Sequence, residues 1–319
     1  MKLLVTGGAG YIGSVVAAQL LSGGHDVTVL DDLSTGHRDA VPPGAEFVEG
    51  GVHDSAGVLT AEAGYEAVLH FAAKSLVGES QERPELYWQN NVGGSMALLA
   101  AMRAAGVRRM VFSSTAATYG EPELVPIDET AYTAPTNIYG HTKLAVDRML
   151  AGEAAAHGLG AVSLRYFNVT GADGGLGERH ATETHIVPIA LQVAGGMRAE
   201  FTVFGADYPT EDGTCIRDYI HVADLARAHL LALAATAPGT HRVYNLGNGA
   251  GFSVREVLDS VRRVTGHPIP VRAGARRAGD PAVLVASSER IRAELGWEPV
   301  HPELDVMVAD AWEFARSRP

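Results

Sequence analysis

Near its start the chain reads Leu3-Leu4-Val5-Thr6-Gly7-Gly8-Ala9-Gly10-Tyr11-Ile12-Gly13, an apolar run followed by a glycine-rich one, with a helical pattern after it. The glycines satisfy both G-x-x-G-x-x-G and G-x-G-x-x-G. They let the backbone turn tightly and approach a pyrophosphate, which meets free N–H groups and the positive end of the helix dipole. The stretch predicts a Rossmann-type phosphate loop that binds a nicotinamide dinucleotide.

Two carboxylates follow the next strand pattern, Asp26 to Leu30. A carboxylate at the position of Asp31 accepts hydrogen bonds from the adenine ribose hydroxyls and disfavours a 2′-phosphate. We therefore expect NAD rather than NADP, although Arg38 nearby would suit a phosphate. Asp32 has the weaker case, because a solvated turn residue explains it as well.

The first half of the chain alternates short apolar runs with longer helical ones, which is typical of a doubly wound parallel sheet with helices on both faces. The fold class is α/β: a Rossmann-type sheet with a smaller α/β substrate domain. Strands are expected at Lys2 to Val5, Asp26 to Leu30, Glu46 to Glu49, Ala67 to Phe71, Arg109 to Phe112 and Ala161 to Leu164. Helices are expected at Tyr11 to Ser22, Pro84 to Ala105 and Ile138 to His157.

After about Asn168 the spacing loosens, with turn-rich stretches and then helical patterns near Val222 to Ala234 and Val254 to Thr265. We expect an NAD-binding domain over residues 1–168 and a second, smaller domain over 169–319. The apolar run Val243 to Leu246 is a candidate strand that returns to the first sheet.

Composition excludes several classes of protein. The formal net charge of −12 opposes binding to nucleic acid or to anionic lipid. A single cysteine, Cys215, cannot form an internal disulfide and supplies too few thiolates for a structural zinc site, so no metal site is expected. The start of the chain resembles no secretion leader and no apolar run suits a membrane helix, which favours a cytoplasmic protein.

Tyr139-Gly140-His141-Thr142-Lys143 places a phenol and an ammonium at i and i+4, on one face of a helix. The nearby charges of Lys143 and of a bound nicotinamide favour the phenolate, so Tyr139 is a candidate general base. Thr115 ends the segment Ser113-Ser114-Thr115 after a predicted strand, where ligands bind in such sheets. Its hydroxyl can hydrogen-bond the substrate oxygen that loses its proton.

Further segments strengthen a family resemblance. They are His70-Phe71-Ala72-Ala73, Val77-Gly78-Glu79-Ser80, Asn90-Asn91-Val92, Arg165-Tyr166-Phe167-Asn168, the run from Asp207 to Thr214, and Arg217-Asp218-Tyr219-Ile220-His221-Val222. Together with the glycine loop and Tyr-x-x-x-Lys, they make the chain resemble, almost end to end, the extended short-chain dehydrogenase/reductase family, and within it the UDP-glucose 4-epimerases.

The resemblance implies roles for individual residues. The implied catalytic set is Tyr139, Lys143 and Thr115. The implied cofactor contacts are Gly7, Gly10, Tyr11, Ile12, Gly13, Asp31, Asp32, Leu33, Ser34, Thr35, Gly36, Gly51, Val52, Phe71, Ala72, Ala73, Lys74, Asn90, Ser113, Tyr139, Lys143, Tyr166 and Phe167. The implied substrate contacts are Thr115, Tyr139, Asn168, His185, Thr202, Val203, Phe204, Arg217, Arg277 and Asp280, with Phe204 against uracil, the arginines on the diphosphate and Asp280 on the ribose.

Some positions depart from the family pattern. Thr115 stands where many epimerases have serine, and it keeps the hydroxyl. Ser75 falls where a lysine often contacts the cofactor diphosphate, with Lys74 one place away. Gly51 replaces an aspartate near adenine, and His185 replaces an asparagine of the substrate loop.

The implied reaction is the interconversion of UDP-galactose and UDP-glucose through a 4-keto intermediate with tightly bound NAD, a step of galactose metabolism. A 4-epimerase for another nucleotide sugar is the alternative, because Leu284 stands where a bulky or small side chain excludes or admits an N-acetyl group. A 4,6-dehydratase is disfavoured by Ala116-Ala117, and a non-catalytic NAD-binding scaffold is the remote alternative. The family also implies a homodimer packed through helices near Pro84 to Ala105 and Ile138 to His157.

Overall fold

Parallel strands form the central sheet of the computed structural model, which describes residues 1–277 and 280–318. In order across the sheet these strands are His241–Leu246 (β12), Gly160–Tyr166 (β6), Arg109–Thr115 (β5), Ala67–His70 (β4), Lys2–Thr6 (β1), Asp26–Asp31 (β2) and Glu46–Glu49 (β3). Every neighbouring pair is parallel. The predicted fold class is confirmed: the strand order reverses at β1, as in a Rossmann sheet.

Helices cover both faces of this sheet. They are Tyr11–Ser22 (α1), Ser55–Val58 (α2), Val77–Glu82 (α3), Pro84–Tyr87 (α4), Gly94–Ala105 (α5), Ile138–His157 (α6), Ile186–Ala194 (α7), Val222–Ala234 (α8), Val254–Thr265 (α9), Glu289–Leu295 (α10) and Leu304–Arg316 (α11). Residues Leu3 and Leu4 of β1 point to opposite faces of the sheet and enter different cores. The Leu3 side packs against α1 and α8, and the Leu4 side packs against α5 and α6.

The helix expected over Pro84 to Ala105 is not continuous. Between α4 and α5 the segment Trp88–Gly93 is π-helical. The packing at its end is tight, since a Cβ on Gly94 would lie 2.3 Å from a Val52 methyl carbon. π-helical turns often occur at functional sites, where they change the direction of side chains.

The second half of the chain adds smaller sheets. Its strands are Asn168–Thr170 (β7), Ala172–Asp173 (β8), Leu176–Gly177 (β9), Phe201–Phe204 (β10), Ile216–His221 (β11), Gly251–Ser253 (β13), Val271–Gly274 (β14) and Val283–Leu284 (β15). Helices α7, α9 and α11 pack around a separate apolar cluster that includes Val187, Val257 and Met307. The division at residue 168 stays a prediction, and β12, from the later part, lies in the sheet of the earlier part.

Within the described ranges of the chain, no helix is both long enough and apolar enough to cross a membrane.

The loop after β1 leaves no room for a side chain at two of its glycines. A Cβ on Gly13 would lie 2.3 Å from the carbonyl oxygen of Gly7. A Cβ on Gly7 would lie 2.5 Å from the amide nitrogen of Ala72, and its φ of +73° is one that L side chains rarely adopt. The loop therefore lies directly against the backbone of Phe71 and Ala72, at the end of β4, and only glycine fits at Gly7.

We predict that Gly13→Ala lowers the free energy of unfolding by about 1–3 kcal/mol, because the added methyl group meets a backbone oxygen that cannot move aside. Gly152→Ala is the matched control, since Gly152 also lies in a helix but nothing lies within 4 Å of its Cβ position. It should raise stability by about 0.5–1 kcal/mol. Urea unfolding of the cofactor-free protein measures both; equal effects of the two substitutions would contradict the prediction.

Candidate active site

The carboxyl ends of adjacent parallel strands meet at one edge of the central sheet, and the candidate residues lie there. At this edge the structure places the glycine loop after β1, Asp31 at the end of β2, Phe71 to Lys74 after β4, Thr115 at the end of β5, and Tyr166 at the end of β6. Ser113 to Thr115 belong to β5 itself, which is longer than the expected Arg109 to Phe112.

The N-terminus of α1 is shaped for a phosphate. Gly10 is its N-cap residue, and no side chain caps the helix. The N–H groups of the first turn therefore need a partner from outside the helix, which an anion can supply. Tyr11 anchors this turn, because its hydroxyl donates to the carbonyl of Gly171 at 2.6 Å. The helix end has free N–H groups, and the glycines of the loop carry no side chain that would block access to them. Both features suit the binding of a dinucleotide pyrophosphate.

Asp31 lies where the ribose of an adenine nucleotide is expected. Its carboxylate is buried and accepts hydrogen bonds from the amides of Ala9 and Leu33, both at 2.9 Å. Burial raises its pKa, and these hydrogen bonds oppose the rise. Asp32 is exposed and accepts from the amide of Ser34, as a turn residue does. The guanidinium of Arg38 lies 3.9 Å from the centroid of the Phe47 ring. Arg38 therefore already makes a cation–π contact within the protein.

The residues after β2 and β3 surround this position. The loop that follows Asp31 consists of Leu33, Ser34, Thr35 and Gly36. Gly51 and Val52 lie just after β3, the strand that pairs with β2. The loop is close to the carboxylate, since a Cβ on Gly36 would lie 2.8 Å from Asp31 Oδ1.

Asn91 is a positioning residue; the sequence placed it in a family segment but gave it no role. Its side chain accepts from the amide of Lys74 at 2.8 Å and donates to the Lys74 carbonyl at 3.0 Å. The side-chain nitrogen of Asn91, Nδ2, also donates to the hydroxyl of Thr142 on α6, at 3.1 Å. The π-helical segment thus fixes the backbone that presents Ala72, Ala73 and Lys74, and leaves the neighbouring Asn90 half-buried beside it.

Tyr139, Lys143 and Thr115 come together at the ends of α6 and β5. Asn137 caps α6 by accepting from the Gly140 amide at 2.8 Å, so Tyr139 and Lys143 lie in the first turns of the helix. Lys143 is 3% exposed, and its Nζ donates to the Ser113 carbonyl at 2.8 Å. The Thr115 hydroxyl lies close enough to the phenol of Tyr139 to lower its pKa, and Nζ of Lys143 lies 5.9 Å from the Tyr139 ring centroid.

Burial controls the acidity of this group. Desolvation raises the pKa of Tyr139 to about 12, and the hydrogen bond with Thr115 opposes that rise. Desolvation also lowers the pKa of Lys143 to about 7, against the attraction of Asp147. In the chain by itself these shifts oppose the expected phenolate. The tyrosine needs added positive charge close to its oxygen before it can act as a base near neutral pH.

Two further rings that the sequence predicts as cofactor contacts, Tyr166 and Phe71, lie at the same edge of the sheet. Tyr166 makes a short hydrogen bond with the Ser113 hydroxyl. Phe71 packs against the ring of His229 on α8, with centroids 4.8 Å apart, and burial lowers the pKa of that histidine to about 4. A neutral imidazole here leaves the pocket floor apolar.

The expected nucleotide-sugar residues lie on β7, β10, β11 and the segment between β14 and β15. Arg217 pairs with Asp280 through a short ion pair, and its backbone lies beside Leu284 in the β11–β15 register. The guanidinium of Arg277 lies 4.2 Å from the Phe204 ring centroid. Thr202 and Val203 precede Phe204 on β10, and Phe167 precedes Asn168 at the start of β7.

His185 has a different set of neighbours. It is the N-cap residue of α7, and its Nδ1 lies 2.7 Å from a Glu178 oxygen and 3.0 Å from a Glu183 oxygen. Burial alone would lower the pKa of His185, but the two carboxylates raise it to about 10.

Comparison with known proteins decides the family. The sequence profile of the NAD dependent epimerase/dehydratase family matches residues 3–247. The chain belongs to this family. It is 60% identical to the UDP-glucose 4-epimerase of Streptomyces lividans, over 100% of this chain and 97% of that protein.

Solved structures of other epimerases agree with this assignment. A UDP-glucose 4-epimerase from Brucella ovis in complex with NAD has a TM-score of 0.93 at 46% identity, covering 98% of this chain and 97% of that one. The enzyme from Bifidobacterium longum, in complex with NAD⁺ and UDP, has a TM-score of 0.94 at 36% identity, covering 100% and 99%. The resemblance seen in the motifs is confirmed.

The burial of Lys143 in this epimerase/dehydratase chain has a measurable consequence. Its pKa falls from 10.5 to about 7, so between these pH values the unfolded chain holds a proton that the folded chain has released. We predict that this residue makes the free energy of unfolding rise with pH in that window, by up to about 1.4 kcal/mol per pH unit.

Lys143→Met removes the titrating group. Unfolding of wild type and variant, both freed of NAD, is measured in urea at several pH values between 7 and 10, and the wild type should gain stability relative to the variant as pH rises. Unchanged denaturant slopes are the control. A stability difference that does not vary with pH would contradict the prediction.

Proposed function

We propose that the chain is a UDP-glucose 4-epimerase, which interconverts UDP-galactose and UDP-glucose through a 4-keto sugar. The observation that carries the proposal is the buried Lys143, whose Nζ donates to the Ser113 carbonyl and faces the Tyr139 ring at the carboxyl edge of a parallel sheet with a glycine-rich phosphate loop. The names and bound molecules of the Streptomyces, Brucella and Bifidobacterium enzymes support the same activity and the same cofactor.

The residues for holding NAD are those of the glycine loop and the strand ends beside it. The first turn of α1 offers uncapped N–H groups to the pyrophosphate, and Asp31 offers carboxylate oxygens to the adenine ribose. When bound, NAD takes up hydride from C4 of the sugar and gives it back. Lys143 lies deep enough to hydrogen-bond the nicotinamide ribose while it faces the Tyr139 ring.

Tyr139 is the residue that accepts and returns the proton. Its oxygen receives the proton of the C4 hydroxyl and later returns it to the 4-keto oxygen, so the residue begins and ends the cycle in the same state. Thr115 orients both the phenol and the sugar oxygen through its hydroxyl. Lys143 supplies positive charge to the phenolate, and because Lys143 is buried and Tyr139 half-buried, water screens that charge less than it would at the surface.

Inversion at C4 requires that the sugar present its other face to the same groups. Anchoring through the nucleotide allows this, because the sugar turns while the diphosphate stays fixed. Arg217 and Arg277 are the cationic groups for the diphosphate, and Phe204, 38% exposed, offers an aromatic surface to the base. These roles for the substrate residues are part of the proposal.

We predict that Tyr139→Phe lowers kcat for UDP-galactose epimerisation by at least about 100-fold, because the ring remains and only the proton carrier is lost. Tyr132→Phe is the matched control: Tyr132 is 86% exposed and should tolerate the change. Product analysis measures turnover, and cofactor released on denaturation measures bound NAD, which should be retained in both variants. Activity of Tyr139→Phe near that of the wild type would refute the assignment of the base.

The proposal as a whole has its own test. If the wild-type protein carries no NAD(H) and cannot interconvert the two UDP-hexoses even with NAD added, the proposed function is wrong. UDP-N-acetylglucosamine, UDP-xylose and a thymidine-linked hexose, assayed alongside, separate the main activity from that of an epimerase for another sugar. A cytoplasmic location belongs to the same proposal.

We also propose a homodimer that packs through the helices expected for it. Trp88 and Met96, on the π-helical segment and on α5, are 41% and 59% exposed, so this face offers apolar side chains to a second copy of the chain. Met96→Glu should shift the mass measured by light scattering from dimer toward monomer. Met197→Glu is the control, because Met197 is 70% exposed but lies after α7. A monomeric wild type would contradict the proposal.

A further inference from the structure

Four side chains converge just before α7 in a cluster that takes no part in the proposed proton transfer, and one of them, His185, is also an implied substrate contact. They are Glu178, His180, Glu183 and His185, and one ligand atom from each lies within 4.8 Å of the other three. All four come from one stretch of eight residues with the pattern Glu-x-His-x-x-Glu-x-His. The single cysteine, on which the expected absence of a metal site rested, has no bearing on this set of imidazoles and carboxylates.

The separations between these atoms are close to those around a bound ion. His180 Nδ1 lies 3.0 Å from an oxygen of Glu178 and 3.6 Å from one of Glu183. His185 Nδ1 lies 2.7 Å and 3.0 Å from oxygens of the same two residues. Ligand atoms of a tetrahedral zinc ion, at bond lengths of about 2.0–2.1 Å, are about 3.3 Å apart.

The burial of the carboxylates calls for positive charge. The side chains of Glu178 and Glu183 are only 8% and 4% exposed. In the described part of the chain, the imidazoles of His180 and His185 are the partners of the Glu178 carboxylate in ion pairs. Buried carboxylates are costly unless they are paired or bind a metal.

A second observation concerns His180. Its Nδ1 is buried and makes no hydrogen bond of good geometry within the described residues, although two carboxylate oxygens lie within 3.6 Å of it. A nitrogen that points between two carboxylates, without the alignment of a hydrogen bond to either, has the arrangement of a ligand atom around a shared centre.

We propose that Glu178, His180, Glu183 and His185 bind one divalent transition-metal ion, with Zn²⁺ as the best chemical fit. Two imidazole nitrogens and two carboxylate oxygens suit zinc, whereas an all-oxygen set would suit Mg²⁺ or Ca²⁺. Neither Tyr139 nor Lys143 is one of these ligands, and the proposal does not depend on the epimerase activity.

The surroundings of the cluster hold the ligands in place. Glu183 accepts hydrogen bonds from the amides of Thr184 and His185, at 2.8 Å and 2.7 Å, which fix the direction of its carboxylate. Arg179, between two of the ligands, makes a bidentate ion pair with Asp39, and its carbonyl contacts His37 Nε2 at 2.8 Å. The segment is thereby tied to the residues that follow β2.

The site also has access for an ion. A cavity of about 160 Å³ is lined by Glu178, His180 and Glu183, and by apolar residues of α7 and α11. The bound ion would join the start of α7 to the segment after β9. Its role is therefore structural: it fixes the segment that leads from the small β8–β9 hairpin into the second half of the fold.

The experiment measures metal binding directly. Full-length protein, with any affinity tag removed, is treated with a chelator, dialysed and titrated with Zn²⁺ against a chromophoric competitor. Retained metal is counted by elemental analysis after gel filtration. Wild type should retain about one equivalent of zinc per chain, and its Tm should rise when Zn²⁺ is added. Co²⁺ in place of Zn²⁺ should give the intense visible absorption of a four-coordinate ion.

Matched variants locate the binding. His180→Gln and Glu183→Gln should each weaken Zn²⁺ binding at least about tenfold, as expected for loss of a ligand. His157→Gln, an exposed histidine at the end of α6, should bind zinc as the wild type does. Circular dichroism and Tm of the metal-free proteins establish that the variants are folded.

Two outcomes would overturn the proposal. The first is a wild type that retains no zinc in competition with the chelator, which would leave the cluster as imidazolium–carboxylate ion pairs alone. The second is equal zinc retention by His180→Gln, Glu183→Gln and His157→Gln, which would place the ion elsewhere on the surface.

Discussion

The hydrogen bond from Lys143 Nζ to the Ser113 carbonyl, 2.8 Å long, joins helix α6 to the end of strand β5. The geometry of the candidate site depends on it. It holds the first turns of α6, with Tyr139, against the end of β5, where Thr115 lies. It also requires Lys143 to be buried, which removes its ammonium from water. The positions of the reacting groups and their acidity therefore have one structural cause.

A buried charge network explains why Lys143 has a low pKa although Asp147 lies one helical turn away. Oδ2 of Asp147 accepts from Nε and Nη2 of Arg165, at 3.0 Å and 2.8 Å. Arg165 in turn donates to the hydroxyl of Tyr119, which donates to Asn245 on β12. Since Arg165 balances the charge of Asp147, little attraction is left for Lys143, and desolvation dominates. Breaking that pair would free the carboxylate to favour the charged lysine.

Local sequence patterns were sufficient to predict the phosphate loop and the helices beside the candidate site. The glycine loop, α1 and α6 follow the predicted bounds, because turn chemistry and helical periodicity act over a few residues. Asn91 was missed as a positioning residue because its partners Lys74 and Thr142 lie 17 and 51 positions away. The acidity of Tyr139 could not be predicted either, since residue spacing gives the distance to a charge but not the loss of water around it.

The ion pair between Arg217 and Asp280 affects which ligands can bind at the proposed substrate site. Arg217 and Asp280 are 14% and 27% exposed and neutralise each other. Under the proposed function, a diphosphate takes Arg217 from Asp280, and leaving that carboxylate unpaired in a half-buried position is unfavourable. The ribose hydroxyls of a nucleotide can satisfy it, whereas inorganic phosphate has no sugar hydroxyl to offer. The ion pair therefore favours ligands that carry a phosphate group and a sugar hydroxyl together over inorganic phosphate, because only such ligands replace both partners at once.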